Sequence, residues 1–66
     1  MTPKEADEVA KRCTPVILDG ITYIRIIEVG YRYDERGQRR PFVTVLDKNK
    51  NCIVSADPAK VKEAQA

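Results

Sequence analysis

From residue 16 to residue 55 the chain alternates apolar and polar positions, and it departs from that rhythm mainly at its two ends. Val16-Ile17-Leu18 and Ile21-Thr22-Tyr23-Ile24 flank Asp19-Gly20, a pair suited to a two-residue hairpin turn in which both central residues need positive φ. The strand that follows is long, from Ile21 to Tyr33. Its odd positions (Ile21, Tyr23, Arg25, Ile27, Val29, Tyr31, Tyr33) form one face that stays mostly apolar. Its even positions begin with Ile24 and Ile26 and then change to Glu28, Gly30 and Arg32, with Gly30 marking an expected bulge or bend. Asp34-Glu35-Arg36-Gly37 reads as a type I turn closed by a left-handed glycine. That turn sets a register. Asp34 faces Gln38, Tyr33 faces Arg39, Val29 faces Val43, Ile27 faces Val45, and Arg25 faces Asp47 as a cross-strand ion pair. On the other face Ile26 meets Leu46 and Arg32 meets Arg40.

The ends carry helix signals. Thr2 is placed as an N-cap, Pro3 as the first helical residue and Glu5 at the capping-box position, opening a helix to about Arg12. Its apolar stripe of Ala6, Val9, Ala10 and Cys13 is thin, so a loosely docked arm is expected, ended by Pro15. Asp47-Lys48-Asn49-Lys50-Asn51 is a polar turn before a short return strand, Cys52-Ile53-Val54-Ser55. Asp57 then caps a last helix that starts at Pro58, with Val61 and Ala64 turned inward. The reading is an α+β, mostly β domain: a four-stranded antiparallel curved meander with short N-terminal and C-terminal helices. Residues 1–14 form the helical arm, 15–56 the meander and 57–66 the last helix of a single domain. The alternative is an SH3-like small barrel.

At 66 residues, a chain buries only about 60% of the surface its unfolded form exposes, so the fold needs help from elsewhere. Cys13 and Cys52 are too few for a disulfide framework or a zinc site, there is no histidine, and the two are read as ordinary thiols. No cofactor is expected. Both faces of the meander carry apolar residues that two short helices cannot cover, which points to a homo-oligomer, a dimer or higher. With no transmembrane run and no signal peptide, the expectation is a cytoplasmic protein without a membrane partner. Net charge is +2, and its distribution says more: residues 21–40 alone sum to +2.

That charge collects at one place. Arg32, Arg36, Arg39 and Arg40 fall within nine residues, interleaved with Tyr31, Tyr33 and Phe42. Arg32 directly opposite Arg40 is destabilising by a few tenths up to about 1 kcal/mol. Phosphates would turn that repulsion into attraction, since guanidinium forks match phosphate oxygens and binding releases counterions. The aromatic rings offer stacking surfaces for unpaired bases. A solvated, charge-protected hairpin tip accounts for the same residues, as does an acidic protein partner. Among the carboxylates, Glu28 is least explained by turn or cap chemistry. Together with Asp19 it is the candidate for metal-dependent catalysis, with magnesium the implied ion if DNA is nicked. Histidine-based triads are excluded.

Four antiparallel strands from Val16 to Ser55, a basic hairpin and the element opened by Asp57-Pro58 resemble the positive-cofactor-four coactivator fold, over about 50 residues at the level of element order. The resemblance implies a homodimer that binds single-stranded or distorted DNA, with Arg32, Arg36, Arg39 and Arg40 as the contacts. The chain also resembles small phage and mobile-element products, anti-CRISPR proteins among them. That likeness implies host interference through DNA topology, with nicking as one route. In the SH3-like alternative, Tyr23, Tyr31, Tyr33 and Phe42 line a peptide groove of a protein-interaction module.

Overall fold

The computed structural model describes residues 1–49 and 52–64. One helix, α1 (Pro3–Arg12), is followed by strands β1 (Val16–Leu18), β2 (Ile21–Tyr23), β3 (Arg25–Tyr33), β4 (Arg39–Leu46) and β5 (Ile53–Ala56). A single 310 turn, Pro58–Lys60, then leads directly into β6 (Val61–Glu63). The class is α+β and mostly β, but six strands form two antiparallel sheets, ordered β2-β1-β6 and β3-β4-β5. β2 and β3 are one length of chain bent at Ile24, whose amide still bonds the Leu46 carbonyl at 2.9 Å. A bent strand shared by two sheets, and a last strand paired back onto β1, replace the single four-stranded meander.

The C-terminal helix expected over 57–66 does not form in the residues described. Its start signal does operate: the Asp57 carboxylate accepts the Ala59 amide at 3.0 Å. Helix nucleation is costly, and only the single 310 turn Pro58–Lys60 forms behind the cap. Sheet pairing offers more. Val61 lies opposite Leu18, Lys62 opposite Ile17 and Glu63 opposite Val16, and the Ala64 amide adds a bond to the Pro15 carbonyl at 2.9 Å. Val61 is fully buried there.

The N-terminal helix is docked, contrary to the loose arm its thin stripe suggested. The reciprocal Thr2–Glu5 capping box forms, and bonds from the Thr2 amide first and its hydroxyl second hold the Glu5 carboxyl below its ordinary range. Ala6 and Val9 are buried in the core with Val16, Leu18, Tyr23, Ile26, Val43, Val45 and Val61. Small residues suffice because they let the helix backbone come close to β3. The helix stops before Pro15, at Cys13, which takes the left-handed conformation. Cys13 and Cys52 are both free and exposed.

Asp19 (φ 52°) and Gly20 (φ 77°) form the expected two-residue turn between β1 and β2. The β3–β4 register agrees with expectation near the tip, where Tyr33 faces Arg39, Arg32 faces Arg40 and Val29 faces Val43. It shifts between Ile26 and Glu28. The bulge is therefore at Ile27, not Gly30. Ile26 faces Val45 instead of Leu46, Arg25 faces Leu46, and Ile27 is turned out, 42% exposed. The expected Arg25–Asp47 ion pair is replaced by a 3.7 Å contact from the Arg25 guanidinium to Cys13 Sγ. One inserted residue resolves the two-faced pattern of the long strand. It brings even-numbered Ile26 and odd-numbered Val29 to the same inner face, against Val45 and Val43. Of the turn expected at 47–51, Lys50 and Asn51 lie outside the described residues.

Candidate nucleic-acid interface

Past Val29 and Val43 the β3–β4 hairpin leaves the core, in a molecule measuring 38 × 23 × 19 Å. Its tip is built by Asp34. One carboxylate oxygen accepts the Arg36 and Gln38 amides, both at 2.9 Å, and the Gly37 amide closes onto the Asp34 carbonyl at 3.0 Å. Gly37 sits at φ 78°, where a side chain would be strained. The Gln38 amide above all, with the Arg40 side chain and the Arg36 amide, holds the Asp34 carboxyl below its ordinary range.

The four arginines divide between the two faces of the ribbon. Arg32 and Arg40 are opposed in register on the outer face of the second sheet, as the turn dictates. Their guanidiniums diverge along the ribbon, which relieves the repulsion. Arg32 turns back toward β5, 4.1 Å above the Phe42 ring, and donates to Ser55 Oγ at 3.4 Å. Arg40 turns toward the tip, where its Nε meets Asp34 Oδ2 at 3.3 Å and its Nη2 meets Gln38 Oε1 at 3.4 Å. Arg39 lies on the inner face, 4.3 Å above the Tyr31 ring. Arg36, at the tip, makes no side-chain hydrogen bond or ion pair among the described residues. So one arginine of the cluster is paired with an acid, two lie over aromatic rings, and one has no side-chain partner among the described residues.

The aromatic residues are not equivalent either. Phe42 faces Gly30 across the strands, and a Cβ on Gly30 would come within 3.1 Å of the ring. The close approach lets Phe42 lie down and support Arg32. Tyr31 is half exposed under Arg39, and Tyr33 is 74% exposed with no cation over it among the described residues.

The two catalytic candidates are not brought together. Asp19 stands in the β1–β2 turn of the first sheet, while Glu28 lies on the outer face of the second, where its Oε1 accepts the Thr44 hydroxyl at 3.3 Å. Among the described residues no group of three or more side chains is placed to hold a metal ion. Thr44 and Ser55, 3.1 Å apart, belong to this outer face and are absent from the sequence-based candidates. Period-two parity from Arg40 and Phe42 would have found Thr44. Ser55 had no such signal, because its register depends on the β4–β5 turn. Among the described residues no helix is long and apolar enough to cross a membrane. Comparison with protein-family models, with curated proteins and with solved structures finds no match.

Proposed function

We propose that this protein binds DNA through the β3–β4 hairpin. The observation that carries the reading is the condition of the guanidiniums: Arg32 and Arg39 rest on Phe42 and Tyr31 rather than on acids. A ring beneath a guanidinium holds its plane at a cost in freedom already met on folding, and leaves edge N–H groups for phosphate oxygens. Such a contact contributes about 0.5–1 kcal/mol at an exposed site, enough to orient the group without consuming its donors. The ribbon's shape adds support, since a two-stranded β-ribbon fits the major groove of B-form DNA. Tyr33 supplies a free ring for an unstacked base.

The test is fluorescence anisotropy with a labelled duplex and a labelled single strand of the same length. The logarithm of the affinity is expected to fall linearly with the logarithm of salt, and binding to be lost in a variant with Arg32, Arg36, Arg39 and Arg40 all changed to alanine. Absence of salt-dependent binding to either probe overturns the reading. The finer expectations, a cytoplasmic homo-oligomer from a phage or mobile element that interferes with a host through DNA topology, go with the resemblance. Nicking is read in the same material as magnesium-dependent conversion of supercoiled plasmid to open circle.

A second reading is favoured by one observation, the division of the six strands into two three-stranded sheets joined by the bend at Ile24. It makes the protein an interaction module, though Tyr23, Tyr31, Tyr33 and Phe42 do not line one groove, because Tyr23 is buried in the core and Phe42 lies on the face opposite Tyr31 and Tyr33. The groove between α1 and β3, lined by Pro3, Asp7, Val29 and Tyr31, takes the peptide instead. An acidic protein partner at the arginines belongs to this class. Retention of such a partner with no binding to DNA selects it.

A further inference from the structure

Across the second sheet, four polar side chains connect into one line: Arg32 Nη2 to Ser55 Oγ at 3.4 Å, Ser55 Oγ to Thr44 Oγ1 at 3.1 Å, and Thr44 Oγ1 to Glu28 Oε1 at 3.3 Å. The ends of the line dictate its direction. A guanidinium has no acceptor, so Ser55 accepts from Arg32; an ionised carboxylate has no donor, so Thr44 donates to Glu28. Thr44 has a single hydroxyl proton and has spent it, so Ser55 donates to Thr44. Donation therefore runs one way, Arg32 to Ser55 to Thr44 to Glu28, over all three strands of the sheet. Bonds so aligned polarise one another, and Thr44 is buried in the middle of the chain.

The line ends on the guanidinium that Phe42 supports from beneath. Arg32 is thus held by a ring on its face and a hydroxyl at one edge, while Arg39, on the opposite side of the ribbon, is held by a ring alone. The outer face also carries Arg40, in register with Arg32, and Arg36 follows at the tip. Arg32 and Arg40 on this face, with their guanidiniums directed apart, and Arg36 beyond them at the tip lie along the line a phosphate backbone would follow. Resting on the DNA-binding reading above, we infer that the DNA backbone lies along the outer face of the second sheet, with Arg32 as its held contact and Arg40 restrained beside it by Asp34, and that Glu28 is a positioning residue that orients Arg32 through Thr44 and Ser55.

This gives Glu28 a role that charge alone contradicts. An acid on a DNA-binding face repels phosphate, so simple electrostatics has Glu28→Ala and Glu28→Gln tightening binding equally. Positioning separates them, because glutamine keeps an oxygen for the Thr44 hydroxyl and alanine does not. The experiment titrates the labelled duplex and single strand with wild-type protein and with E28Q, E28A, S55A, R32A and R39A, each checked for folding by circular dichroism. E28Q is expected to bind at least about threefold more tightly than E28A. S55A, which cuts the line without changing charge, is expected to weaken binding and to lower the duplex salt slope toward that of R32A, about 0.9 less than wild type for one lost phosphate. R39A is expected to weaken binding less than R32A. Equal affinities for E28Q and E28A, or wild-type affinity in S55A, overturn the positioning role. R39A costing as much as R32A overturns the choice of face. Loss of all salt-dependent binding in the wild type removes the parent reading instead. Should E28A fail to fold, S55A, an exposed position, decides the positioning role alone.

Discussion

Replacing Asp34 with asparagine separates the two tasks of that residue, and the expected result is tighter DNA binding. Asp34 Oδ1 organises the tip by accepting the Arg36 and Gln38 amides, while Oδ2 holds Arg40 at 3.3 Å. Asparagine retains a carbonyl oxygen for the amides but presents an NH2 group to Arg40, which a guanidinium cannot donate to. The turn should survive and Arg40 should be released. The hairpin 31–42 carries four arginines, Asp34 and Glu35, so its net charge rises from +2 to +3. One further phosphate neutralised steepens the duplex salt slope by about 0.9. Over a fourfold change, from about 50 to 200 mM salt, that slope alone adds about a 3.5-fold loss of affinity. At the low end of the range D34N should therefore exceed wild type, and the curves should converge as salt rises. The assay is anisotropy across that range, with amide exchange at Gln38 reporting the turn. Weaker binding by D34N at low salt, with Gln38 still protected, refutes the argument that Asp34 restrains a DNA-contacting arginine.

Three other expectations test the frame that carries the site. Val43→Ala removes two methyls from a position with 0% exposure, and is expected to cost about 2–3 kcal/mol from transfer and cavity together. In a domain of this size that lowers the melting temperature by about 10–20 °C, whereas Val54→Ala, at a position 36% exposed, costs under about 1 kcal/mol; equal effects in thermal melts refute the core assignment. The carboxyls of Asp34 and Glu5 have folded pKa values below their unfolded ones. Their stabilisation is therefore complete above the ordinary carboxylate range and is lost as pH falls through the lower folded values, so protection of the Gln38 and Glu5 amides, relative to the intrinsic exchange rate at each pH, should fall only in acid; a loss of protection beginning near neutral pH contradicts this. Gly30→Ala sets a methyl 3.1 Å from the Phe42 ring and displaces it by a few tenths of an ångström. The opposing gain from restricting the unfolded chain is about 0.4–1 kcal/mol, so melting is expected to change little while DNA affinity falls with the disturbed Arg32 support; unchanged affinity removes Phe42 from the site.

Local chemistry was legible wherever neighbours in sequence complete the interaction. The Thr2–Glu5 capping box, the Asp19-Gly20 turn and the Asp34–Gly37 turn each close within a few residues, and each is present. From the second of those turns the register through Val29 and Val43 followed, and with it the opposition of Arg32 and Arg40. Legibility ended at Ile27. A bulge costs a local ladder bond, and only the need to bring Ile26 and Val29 to one core together explains it. The same holds at the C-terminus, where Asp57-Pro58 is a sound helix start. Val61 is nonetheless drawn into a strand by Leu18, more than forty residues earlier.

The sequence by itself determined the elements that short-range hydrogen bonding decides: the first helix, the two tight turns and a hairpin crowded with arginine. Tertiary structure decided how those arginines are shared out. Strand parity, legible in the sequence, put Arg32 and Arg40 on one face, but only the fold set their partners: Phe42 and Ser55 for Arg32, Asp34 for Arg40 and Tyr31 for Arg39. Pairing with β5 brought Ser55 beside Thr44 and so linked Arg32 to Glu28. The reason is one of distance along the chain. A guanidinium's partner is whatever the sheet places within about 3 Å, and sheet neighbours are set by burial of apolar side chains far from the charges themselves.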